Sequence, residues 1–233
     1  MRWRRPSWRA SIGIAAGLAA FATTAGLALT RNGGAGSAPI PLAPLSTVGH
    51  ARAAPAAGPP GPEGVPIPGA PALGDARRLT NGEEIDGIAC QAGEQVLFHI
   101  HAHLTVFVRG RARQVPAGIG IAPPHQVEAT PRGAFVAGAP CFTWLHTHAA
   151  DGIIHTESPV KRTYTLGELF DIWGQPLGRE HVGPARGHVT ALFNGRVFTG
   201  SPRAIPLLAH AQIQLDVGRP LIAPEEIAFP PGL

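Results

Sequence analysis

After Met1 the chain contains no methionine. That absence excludes thioether-rich copper(I) carriers and blue-copper sites with an axial methionine. Cysteine is nearly absent too, with Cys90 and Cys141 the only two. In an oxidising compartment such a pair forms a disulfide, and a thiolate metal ligand is the competing reading. Charged residues make up only 15% of the chain. Arg2, Arg4, Arg5 and Arg9 account for the whole formal charge of +4, so the rest is neutral in sum. This balance gives no reason to expect nucleic acid as a partner.

Those four arginines precede an uncharged, mostly apolar run over residues 11–30. Residues 1–30 therefore read as a signal peptide or a signal anchor. The positive-inside rule leaves the rest of the chain extracytoplasmic, either anchored in the membrane by this segment or secreted after its cleavage. Residues 31–75 are rich in Gly, Pro and Ala and show no sustained apolar periodicity. They read as a disordered tether. A single histidine-rich domain is expected over residues 76–233.

Within that domain "FHIHAHLTVFV" alternates. Phe98, Ile100, Ala102, Leu104, Val106 and Val108 share one strand face, which is the better core face. His99, His101, His103, Thr105 and Phe107 share the other. "CFTWLHTHAADGIIHTES" suggests a hairpin turning at Asp151-Gly152, and Asn194-Gly195 suggests another. Thr165 and Glu168 form a capping box at the start of the one clear helix. Leu166, Leu169, Phe170 and Trp173 make its apolar stripe, and Gly174 its stop. The order of elements implies an α+β fold with a mainly antiparallel sheet and one helix. One version is β-grasp-like, with the histidine hairpin inserted; a small β-sandwich or barrel is the alternative.

The chain has eleven histidines, and six of them fall in two short segments. A two-residue Asp151-Gly152 turn pairs His148 with His155 and His146 with Glu157. Opposed residues and i, i+2 residues share a sheet face, so all four project together. Opposed Cβ atoms lie about 5 Å apart, and i, i+2 residues about 7 Å. Imidazoles at those spacings can converge on an ion with bonds of about 2.0–2.1 Å. His146, His148, His155 and Glu157 are thus the first candidate ligands, with His99, His101 and His103 as further ones. The last three span about 13 Å, too far for all to bind one ion. Copper(II) or zinc suits this donor set, and iron is also compatible. The bland alternative is a polar sheet face that binds nothing.

"HIHAHLTVFVRG", "VPAGIGI", "CFTWLHTHAADGIIHTESP" and "YTLGELFDIWG" together resemble a group of exported bacterial and archaeal proteins of no known activity. The resemblance implies only that these segments occur as one unit. Three functional readings follow. The first is an extracytoplasmic metal-binding domain. The second is a metalloenzyme that activates water or oxygen, with Glu157 as its base. The third is a tethered interaction domain without metal, whose histidines respond to pH. None of the three identifies a protein partner.

Overall fold

The computed structural model describes residues 39–76 and 83–233. The expected signal segment, residues 1–30, lies outside the described residues. Eight strands form the main sheet: β1 (Leu42–Ala43), β2 (Phe98–Val108), β3 (Arg111–Arg113), β4 (Leu145–His146), β5 (Ile153–Ser158), β6 (Val189–Phe193), β7 (Arg196–Phe198) and β8 (Gln212–Val217). The helix α1 spans Leu166–Ile172. The strands run in the order β1-β7-β6-β8-β2-β5-β4, and β3 pairs with β2. The path has two ends, so the sheet is not a closed barrel. Within this sheet every pairing is antiparallel except that of β8 with β2.

Alternation along β2 divides the molecule into two sides. Ala102, Leu104 and Val106 belong to the principal core, together with Leu166, Leu169, Phe170 and Trp173 of the helix region. The helix begins where expected. Thr165 N–H donates to Glu168 Oε2 at 2.7 Å, and Glu168 N–H to Thr165 Oγ1 at 3.4 Å. Gly174 follows with a φ of 64°, the left-handed conformation of a helix stop. Asn194 and Gly195 (φ 48° and 74°) close β6 onto β7 through the expected tight turn.

The histidine hairpin differs from expectation. His146 pairs with His155, so the register is shifted by two residues. The connection is the six-residue segment Thr147–Gly152. The cause lies in bonds made elsewhere. Thr147 N–H donates to Ile119 O, its carbonyl accepts from Gly118 N–H, and His148 O accepts from Val136 N–H. Those backbone groups cannot also zip the hairpin to Asp151-Gly152. A shift of two keeps side-chain parity, so the ligand face survives. Gly152 is needed for a different reason than a hairpin turn. Its φ is 87°, and a Cβ there would stand 2.4 Å from Leu104 O.

Residues 39–75 are not the expected disordered tether. They belong with the rest of the described chain in one compact unit, Pro39–Leu233. β1 pairs with β7, and Ala51–Arg52 pairs in parallel with Leu221–Ile222. Leu73 N–H donates to Gln114 O, and Trp173 Nε1–H to Asp75 O. Between these anchors residues 55–68 form a strap beside His103, Thr105 and Asp151, on the histidine side of β2. Cys90 and Cys141 form a disulfide, which removes the thiolate-ligand alternative. It lies beside the pairing of Cys90–Gln91 with Phe142–Thr143. Among the described residues no helix is long and apolar enough to cross a membrane.

Gly152→Ala should therefore destabilise more than Gly195→Ala. The latter meets only the conformational cost of a left-handed alanine, about 1–2 kcal/mol. The former adds a backbone clash. Denaturant melts of the two variants, side by side, check this ordering.

Candidate metal centre

β2, β4 and β5 build the site because their registers place histidine opposite histidine. His101 faces His155 and His99 faces Glu157 across β2 and β5, while His146 faces His155 across β4 and β5. Opposed residues share a face, so these five side chains converge. His148 joins them from the loop after β4. His101, His146, His148, His155 and Glu157 are buried, and His99 is exposed at the rim.

Hydrogen bonds fix how two of the rings are presented. His146 Nδ1 lies 2.8 Å from Thr143 O, and His148 Nδ1 lies 2.6 Å from Val136 O. A carbonyl only accepts, so each Nδ1 carries the proton and donates. In a neutral ring the Nε2 lone pair is then left free. The two Nε2 atoms stand 3.0 Å apart. Backbone-oriented imidazoles of this kind are the usual support of metal ligands. His101 Nε2 is 3.1 Å from both His99 Nε2 and His155 Nδ1.

Two groups of donors result. One is His99, His101, His155 and Glu157; the other is His146, His148 and His155. Glu94, His146 and Glu157 form a further overlapping set. His103 is not brought into any of these. Its Nε2 donates to Asp151 O at 2.8 Å, and its Nδ1 faces Thr105 Oγ1 at 3.4 Å.

Two carboxylates were missed in the sequence. Glu63 reaches down from the strap, and its Oε1 accepts from His155 Nε2 at 2.7 Å. Glu94, in the segment after Cys90, places Oε1 3.3 Å from His148 Nε2. The available signal for Glu63 was its isolation: it is the only acid in residues 31–74. Glu94 carried no comparable mark. Glu63 Oε2 and Glu157 Oε2 are buried without a hydrogen-bond partner.

The electrostatics divide the rings. Burial, then the neighbouring His155 and His99, pushes His101 down to about 3. Burial lowers His103 to about 4 against its bond to Asp151 O. Burial, then His155, holds His146 and His148 below the ordinary value. His155 is the opposite case. Burial pulls it down, but hydrogen bonds to Glu157 and Glu63 prevail and bring it up to about 9. Burial raises Glu157, but the bond from His155 and the charges of the surrounding histidines together bring it below its ordinary value. At neutral pH, then, an imidazolium sits among neutral rings and carboxylates, in the place where a metal cation would serve.

Compared with protein-family models, curated proteins and solved structures, the chain matches none.

Two-dimensional NMR of the ring nitrogens in metal-free protein should find His155 protonated at pH 8 and His101 neutral at pH 5. Stability follows the same signs. The raised pKa of His155 gives a contribution that is full below about 6.5 and is lost as pH rises through about 9. The lowered values of His101 and His103 make stability fall as pH drops below 6.5. Glu63→Gln should flatten the loss of stability between about pH 6.5 and 9, which denaturant melts from pH 5 to 10 would reveal.

Proposed function

We propose that this chain is an extracytoplasmic metal-binding domain, and that it takes copper(II) or zinc into the cluster of His99, His101, His146, His148, His155 and Glu157. One observation carries the reading most strongly. His146 and His148 both commit Nδ1–H to backbone carbonyls and aim their Nε2 lone pairs at each other across 3.0 Å inside the protein. Two buried lone pairs so placed repel unless a proton or a cation lies between them. The unpartnered Glu157 Oε2 supports the same conclusion from the anionic side. Five of the six histidines in the two histidine-rich segments are buried, which disfavours a pH-responsive surface. The disulfide fits an oxidising compartment, and the N-terminal arginine and apolar pattern fits export, either anchored or secreted. Handling or sensing of metal outside the membrane is the corresponding role. On the fold, the parallel β2–β8 pair and the intervening helix support a β-grasp-like sheet, with β4 and β5 added at its edge.

A metalloenzyme is the second reading, and Asp151 beside a cavity is what favours it. A space of about 410 Å³ lies under the strap, lined by His103, Thr105, Asp151 and Gly152 but by none of the six proposed ligands. Glu157 suits the role of base poorly, because its lowered pKa makes it a weak proton acceptor. Asp151 suits it better: burial, then the charge of Glu63, raises it to about 7.

Elemental analysis of the full chain, purified without a histidine tag, is the direct test. Stoichiometric copper or zinc is expected. His148→Ala should weaken affinity by more than about tenfold, the usual effect of disturbing a metal site. Affinity should fall as pH drops below about 9, because His155 must give up its proton before it can ligate. Near pH 7 binding should also release the proton that His155 holds, which calorimetry in buffers of different ionisation enthalpy would detect. Substoichiometric metal that His148→Ala leaves unchanged would sink the proposal.

A further inference from the structure

We infer that the cluster holds two ions, with the Glu157 carboxylate bridging them; this rests on the metal-binding reading above. Four donor atoms already form a closed ring. His99 Nε2 is 3.1 Å from His101 Nε2, which is 3.1 Å from His155 Nδ1. His155 Nδ1 is 3.4 Å from Glu157 Oε1, which is 3.1 Å from His99 Nε2. Ligands bound at about 2.0–2.1 Å, at angles between square and tetrahedral, stand roughly 2.9–3.4 Å apart. All four edges fall in that range. The ring is a complete four-ligand shell, and it uses no atom of His146 or His148.

Those two residues define a second position. Their Nε2 atoms are 3.0 Å apart, and Glu94 Oε1 lies 3.3 Å from that of His148. The other oxygen of Glu157, Oε2, faces His146 Nε2 at 3.9 Å and is buried with no hydrogen-bond partner. One carboxylate therefore turns Oε1 to the first group and Oε2 to the second. Paired metal centres hold their ions about 3.5–4 Å apart, a separation a carboxylate spans. Donor number points the same way. His99, His101, His146, His148, His155, Glu94 and Glu157 all stand in these groups. A single zinc or copper(II) ion, with about four ligands, would leave buried imidazole lone pairs without a cation.

The cations that fit are divalent ions of intermediate softness, with zinc(II) and copper(II) the first choices. The test titrates metal-stripped full chain with zinc chloride and dialyses away weakly held ion before elemental analysis. Two ions per chain are expected. His99→Gln with His101→Gln, and separately His146→Gln with His148→Gln, should each retain one. A spin spectrum of the copper(II) form should give less signal at two equivalents than two isolated ions would, because the bridged pair couples. That readout needs no variant, so it decides the matter even if a double substitution fails to fold. One ion in the native chain, lost in both double variants, would overturn the bridged pair and leave metal binding standing. Two ions of which neither double variant loses one would place the second ion elsewhere and also overturn it. No bound ion at all would overturn both readings.

Discussion

An imidazole lone pair taken away from water needs a proton or a cation within reach. Leaving a buried polar group without a partner costs about 1–3 kcal/mol, and this protein gathers several such groups on one sheet face. The His155 imidazolium meets part of that need. It links Glu63 to the ring of His101 and Glu157. It serves less well for His146 and His148, whose protons are fixed on the sides facing Thr143 O and Val136 O. The β2–β5 register, the six-residue loop before β5 and the strap all converge on this arrangement.

The strap shows how a polar sheet face can be covered at all. Proline has no N–H, so a proline-rich segment buries fewer donors than an ordinary loop would. Pro55, Pro66 and Pro68 line the space over His103 and Thr105. The turn between them is held by Gly61 N–H to Val65 O at 2.7 Å and by the fully buried Val65. That turn carries Glu63 to His155. The glycine and proline content that suggests a flexible tether thus also suits a close-fitting cover. Composition does not distinguish the two, because the strap's order comes from its partners in the domain.

Local features were legible in the sequence, and long-range ones were not. Alternation in β2 separated the core face from the histidine face, because side-chain parity is a property of the strand alone. The Thr165–Glu168 cap and the Asn194-Gly195 turn were likewise readable from adjacent residues. The pairing of His155 was not. It depends on Thr147 and His148 bonding to Gly118, Ile119 and Val136, residues of two other segments. The shared face of the candidate ligands survived because strand parity repeats every two residues, and the shift was two. The parallel neighbour β8 lies more than 100 residues from β2, and no local pattern announces it.

The missing sulfur gives the site its chemical character. Exported copper sites that favour copper(I) rely on thioether or thiolate ligands, and this chain has neither to offer. Methionine is confined to position 1, and both thiols are consumed in the Cys90–Cys141 disulfide. What remains is nitrogen and oxygen, held in a buried shell by backbone carbonyls and strand pairing. Such donors suit copper(II) and zinc over copper(I). The disulfide contributes twice to that outcome. It withdraws the thiols from coordination, and it ties the segment carrying Glu94 to the chain that leads into His146 and His148.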